Sequence, residues 1–285
     1  MTTQTTPISH AIAGETGTLH AVEWPGTEPA VVLMHGFPDD HHIYDRLAPL
    51  LPGRVVAFDW LGYGASDRRN GRAFHHGDRQ RELAAVLDEL AIERAILVGH
   101  DASGPEAIDR AIAHPQRVER LVLIDTYYGD DDAFRAPELI GLLSDPGLTR
   151  LADALLDDPG QRQWLLQLAG RGFGMPAGAV DPEGLAARAI VPQFFGERPA
   201  IAEIRAWTAD LPSATARQDR VIAAGRLREL QVPVSVICGA GDPYLGLEGS
   251  RYLAGLFPDA RLEAIEDAGH WPQWDRPEAV ARHLR

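Results

Sequence analysis

The chain has 285 residues, enough for one large or two small domains, and 45% apolar with 24% charged residues is ordinary for a folded globular protein. A net charge of −14 argues against a nucleic-acid or anionic-membrane partner, and the single cysteine, Cys238, excludes an intramolecular disulfide. No apolar run nears the ~20 residues of a transmembrane helix, and the first ten residues lack the basic start and apolar stretch of a signal peptide, so a cytoplasmic protein is expected.

Residues 1–7 read as a loose tail, and 8–24 as a strand pair turning at "GETG". "AVVLMHG" (30–36) and "RVVAFD" (54–59) are short continuous apolar runs, as in strands buried on both faces. A helix is predicted between them over 39–51. Another covers 78–91, where Leu83, Val86, Leu87 and Leu90 share one face. Then follow a strand over 95–99, a helix over 103–113 and a strand over 118–125. This alternation predicts an α/β fold with a mostly parallel central sheet flanked by helices.

The alternation stops after Asp125. Residues 126–228 hold helix-like pieces at 133–144, 147–157, 160–169, 183–190, 198–209 and 215–228, broken by Pro and Gly. It resumes with a strand over 232–239, a helix over 246–257, a strand over 260–267 and a helix over 276–284. Residues 1–125 and 229–285 thus read as one α/β core, and 126–228 as a helical cap inserted after the sixth strand. Ligands of open parallel sheets bind beyond the carboxyl ends of the strands, where such a cap would exclude water.

Three motifs fall at those strand ends. "VGHDASG" has the strand–turn–helix shape of a nucleophile elbow, with Asp101 where Ser is usual and Ser103 as the closing small residue. "GDPYLG" presents Asp242, and "DAGHWPQ" presents His270. Asp101, Asp242 and His270 follow the order nucleophile, acid, base. Asp125, at the end of the preceding strand, is the alternative acid. His35 and His100 read as structural. No Cys/His grouping has zinc spacing, so no metal or other cofactor is expected. The adjacent pairs His41–His42 and His75–His76 are expected at the surface.

With "HGFP", "DWLGYGASD", "VGHDASG", "GAGDPYL" and "DAGHWPQ" in order, the chain resembles the α/β-hydrolase fold family from end to end. Its Asp nucleophile and "HGFP" resemble the branch of epoxide hydrolases and haloalkane and haloacetate dehalogenases. The resemblance implies backbone N–H groups of Phe37 and Ala102 as the oxyanion hole. The carboxylate has a chemical reason. A serine attacking saturated carbon would leave an ether, whereas a carboxylate leaves an ester that water can open. The expected activity is hydrolysis of a small apolar molecule through an alkyl-enzyme ester, epoxide hydrolase-like, with dehalogenation as the alternative. An esterase-like or lyase-like enzyme, or a non-catalytic binding protein of the same fold, also stays open, as does a homodimer.

The chain departs from each subfamily. No Tyr lies between Gly129 and Pro243, so the cap tyrosines of epoxide hydrolases are missing, leaving Tyr127, Tyr128 and Tyr244. Haloalkane dehalogenases commonly have Trp and Asn where this chain has Ala102 and Phe37. Fluoroacetate-type enzymes carry arginines where it has Ala102 and Pro105. Trp164 and Trp207 are the candidate halide donors, and with Tyr127 and Tyr128 they are the candidate pocket residues. Phe173, Phe194 and Phe195 read chiefly as cap core.

Overall fold

The computed structural model describes residues 6–69, 77–173 and 184–285. The tail up to residue 5 and the His75–His76 pair lie outside the described residues. Eight strands form one sheet: β1 (Ile8–Ala13), β2 (Thr18–Trp24), β3 (Ala30–Met34), β4 (Val55–Phe58), β5 (Ala95–His100), β6 (Val118–Ile124), β7 (Val234–Gly239) and β8 (Ala260–Ile265). Their order is β1-β2-β4-β3-β5-β6-β7-β8. β1 and β2 pair antiparallel with their neighbours, and every pairing from β4 to β8 is parallel. β3 and β4 are buried at every position, as their unbroken apolar sequences require.

Helices α1 (Asp78–Glu89) and α2 (Gly104–Ala113) connect the central strands. Leu83, Val86 and Leu87 are the buried apolar face of α1. The helix predicted over 39–51 is instead two 3₁₀ turns, His41–Tyr44 and Ala48–Leu50. Asp40 caps the first by accepting from the His42 N–H at 3.1 Å, and Pro49 sits in the second, where an α-helix would need its missing N–H.

Between β6 and β7 the chain forms α3 (Glu138–Ser144), α4 (Thr149–Asp157), α5 (Pro159–Gly172), a π turn (Ala186–Ile190), α6 (Val191–Phe195) and α7 (Ile201–Ala223). Two predicted helices, 198–209 and 215–228, are in fact the single helix α7 with Pro212 inside it. Pro212 is itself on the exposed side of the helix, while Ile204, Thr208 and Gln218 hold the buried side. After β7 come α8 (Leu247–Gly255) and, past β8, α9 (Pro272–Asp275) and α10 (Pro277–Leu284).

The helical segment is tied to the sheet side by polar contacts. Buried Gln193 donates to Asp40 Oδ2 at 2.9 Å and accepts from the Gly64 N–H at 3.3 Å. Glu203 accepts from the Arg69 N–H at 2.8 Å, and Arg188 pairs with Asp45 at 2.6 Å. No helix among the described residues is long and apolar enough to cross a membrane.

Candidate active site

The parallel strands bring four loops to one sheet edge. Asp101 follows β5, Phe37 follows β3, Asp242 follows β7 and His270 follows β8. Asp101 has φ of 47°, a left-handed conformation that costs a side chain-bearing residue on the order of 1–2 kcal/mol. The surroundings compel it. A Cβ on Gly99 would lie 2.8 Å from Gly104 Cα, and one on Gly104 would lie 2.0 Å from Thr126 Oγ1. Thr126 Oγ1 donates to the Asp101 carbonyl at 2.5 Å. Ser103 is not free to attack anything: its hydroxyl is buried, donates to the Met34 carbonyl at 2.7 Å and accepts from the His100 N–H at 2.9 Å.

The Phe37 N–H donates to Asp101 Oδ2 at 2.9 Å. This close approach needs Gly36, since a Cβ there would lie 2.6 Å from Asp101 Cβ. Burial pushes the Asp101 carboxyl up. The His270 charge and the N–H groups of Phe37 and Ala102 oppose that rise by favouring the anion. Asp101 and His270 line the same cavity, of about 1180 Å³.

His270 Nδ1 lies 2.8 Å from Asp242 Oδ2, and Asp242 Oδ1 accepts from the N–H groups of Tyr244 (2.9 Å) and Leu245 (3.3 Å). Burial works against the His270 imidazolium. The charges of Asp242 and Asp101 and the bond to Asp242 outweigh it, so the pKa is raised above its ordinary value. Burial likewise raises Asp242, but His270 and the two backbone donors leave its carboxyl lowered. Asp125 is not on His270. Both its oxygens face the Gly239 N–H, at 3.1 and 3.0 Å, and burial beside the Asp242 charge raises its pKa well above its ordinary value.

Two predicted pocket residues are elsewhere. Tyr128, in the loop after β6, is fully buried, does not line the cavity and donates to Asp109 at 2.6 Å. Trp164 is 48% exposed on the outer side of α5. Tyr127 and Trp207 do line the cavity, with Phe173, Phe194 and Phe195, and Trp207 stacks on Phe37 at 4.0 Å. Tyr244 also lines it, but its hydroxyl donates to Glu138 at 2.9 Å. His41 is buried rather than at the surface, with Nδ1 2.8 Å from Asp59, whose charge helps lift the imidazole to about 9 against burial.

Other residues that shape the site had no distinct sequence signal. His100 is buried and donates from Nε2 to the His270 carbonyl at 2.8 Å, with burial depressing its pKa to about 4. Asp39 faces His35 Nδ1 at 3.2 Å and accepts from Trp271 Nε1 at 3.1 Å, joining the "HGFPDD" loop to the His270 loop. His20, His41 and Asp59 are close enough to share a cation. However, Asp59 already accepts from the His41 and Ala65 backbone N–H groups at 2.8 and 2.9 Å, which makes it a hydrogen-bond hub of the loops.

A family model described as the alpha/beta hydrolase fold matches residues 29–277. A curated relative from Burkholderia vietnamiensis, named 2-hydroxy-6-oxononadienedioate/2-hydroxy-6-oxononatrienedioate hydrolase, is 29% identical over 89% of this chain and 84% of its own. Haloalkane dehalogenase 2 from Mycobacterium tuberculosis is 24% identical over 93% and 89%. Among solved structures, the epoxide hydrolase CorEH superposes with a TM-score of 0.75 at 20% identity, covering 98% of this chain and 97% of that one.

Proposed function

The chain belongs to the alpha/beta hydrolase fold family, and within it we propose a hydrolase that opens an epoxide by nucleophilic displacement with Asp101. One observation carries this reading: the residue on the strained elbow is a carboxylate, with one oxygen already on the Phe37 N–H at 2.9 Å. Carboxylate attack on an ester would give a high-energy anhydride, whereas attack on saturated carbon gives an ester that water can open.

The steps follow from the hydrogen bonds. Asp101 Oδ1 attacks the epoxide carbon, the C–O bond breaks and an alkyl ester forms. Oδ2 stays on the Phe37 N–H as the ester carbonyl oxygen. His270, held by Asp242, takes a proton from water, and the resulting hydroxide adds to that carbonyl carbon. The oxyanion develops on Oδ2, already placed against its donors, one of which can be worth about 3 kcal/mol. Collapse releases the diol and restores the carboxylate. Alkylation also prepares the base. It removes the Asp101 charge that favours the imidazolium, so His270 becomes neutral more readily at the step that needs it. We take the helices between β6 and β7 as the cap over this reaction, its aromatic lining selecting an apolar substrate. Displacement of halide is the second reading, favoured by Trp207 beside Phe37 and by the dehalogenase relative.

Replacing His270 with Gln separates the two half-reactions. The folded variant should accumulate one alkyl adduct per chain, seen by intact mass and mapped to Asp101, and Asp101→Ala should show neither adduct nor turnover. If the wild type turns over an epoxide yet the His270 variant never carries an adduct, Asp101 is not the nucleophile.

A further inference from the structure

The mechanism above leaves one proton without a source: the epoxide oxygen must be protonated as its C–O bond breaks. The cap tyrosines expected of an epoxide hydrolase are missing, and Tyr244 and Tyr128 already donate to Glu138 and Asp109. Tyr127 differs. It shares the main cavity with Asp101, and its hydroxyl has no hydrogen-bond partner among the described residues. Burial and the Asp101 charge hold it protonated, well above the usual tyrosine range.

Tyr127 also forms part of the wall of a second, smaller cavity of about 40 Å³, with Trp207 common to both. This chamber lies behind Ala102 and is lined by Glu106, Asp210, Arg217 and Gln218. It is polar and large enough for a water molecule. Glu106, on the first turns of α2, has no part in the triad. Its carboxylate accepts from Gln80 Nε2 at 2.7 Å. The groups that face it are Arg79 and Glu82 from α1, Asp109 from α2, Tyr127 and Tyr128 after β6, and Asp210 and Arg217 from α7. Burial pushes Glu106 up to about 7, with Asp109 and Glu82 adding to the rise and Arg79 and Gln80 opposing it.

Resting on the Asp101 reading, we propose that Tyr127 is the catalytic proton donor to the epoxide oxygen and that Glu106, through the chamber behind Ala102, is the positioning residue that reprotonates it. The proton of Tyr127 Oη passes to the epoxide oxygen as Asp101 Oδ1 bonds to carbon. In the same step the carboxylic acid of Glu106 passes its proton on to Tyr127 Oη and becomes a carboxylate, so alkylation itself depends on Glu106 being protonated. Ester hydrolysis then consumes one water and releases one proton besides the diol, which restores Glu106. The substrate class that needs this device has oxygen as its leaving atom, because a departing halide takes no proton.

The test uses the His270→Gln protein, where alkylation is isolated and His270 no longer titrates, with styrene oxide and 1,2-epoxyoctane as probes. The alkylation rate, followed by intact mass, should fall above about pH 7. Adding Tyr127→Phe should slow it at least 100-fold, and adding Glu106→Gln should abolish the fall above pH 7, with melting temperatures showing each protein folded. A Tyr127→Phe rate within threefold of its parent, or a pH profile unmoved by Glu106→Gln, overturns the proposal while the Asp101 adduct still stands. No adduct in the His270→Gln parent, when the wild type turns over either probe, overturns the Asp101 reading and the proposal with it.

Discussion

At the scale of single residues, two buried aspartates stand at adjacent strand ends, and only one is placed to orient His270. Asp242 reaches His270 Nδ1 at 2.8 Å, whereas the Asp125 oxygens are held at the Gly239 N–H. Asp242→Asn should therefore lower turnover by roughly 10⁴-fold, as loss of the triad acid does in serine enzymes, and Asp125→Asn far less. Steady-state kinetics on folded variants checks the ranking, and the reverse order would move the acid to Asp125. The charge coupling between Asp101 and His270 is testable separately. Asp101→Asn removes a negative charge that favours the imidazolium, so the His270 pKa should fall relative to wild type in an NMR titration. A pKa that stays put or rises would show that the two charges are not coupled across the cavity.

At the scale of elements, the elbow is a strand, a left-handed residue and a helix packed too closely for side chains at its ends. Gly104 opens α2 against Thr126, whose hydroxyl anchors the Asp101 carbonyl. Gly104→Ala should therefore act twice. It should lower stability by about 1–3 kcal/mol in urea titration, the usual cost of overpacking. It should also lower the alkylation rate by shifting Asp101. A fully stable and fully active variant would mean that the turn relaxes without moving Asp101. This element was legible from "VGHDASG" because it is local: small residues at fixed offsets around one strained position permit few other structures. Helix α7 was not, since Pro212 ordinarily ends a helix. Only the packing of its buried face, with Ile204, Thr208 and Gln218, shows that the segment runs on as one helix with the proline on its exposed side.

At the scale of the whole molecule, the sheet edge and the helices above it are held together by a few buried polar groups. Gln193 bridges Asp40 and Gly64, so Gln193→Leu would leave both without their partner at a cost of about 1–3 kcal/mol each. Hydrogen exchange should quicken over 186–223, and KM for an apolar substrate should rise more than kcat falls. Unchanged exchange would place the tie elsewhere. The alternation of strands and helices, the parallel sheet and the chain order Asp101, Asp242, His270 were all readable in the sequence, because they depend on periodicity and turn chemistry within short windows. The alpha/beta hydrolase fold itself followed from motifs at strand ends. What lines the cavity did not follow. Tyr127 and Tyr128 are neighbours of the same type, and only the folded loop after β6 puts one at the cavity wall and the other on Asp109. Trp164 looked like Trp207 in composition, yet one is on the outer surface and the other stacks on Phe37. The chamber shared by Tyr127 and Glu106 joins the loop after β6 and α2 with α7, which is remote in sequence. Local sequence sets which way a segment folds, but which side chains share a cavity is decided by how separate segments pack.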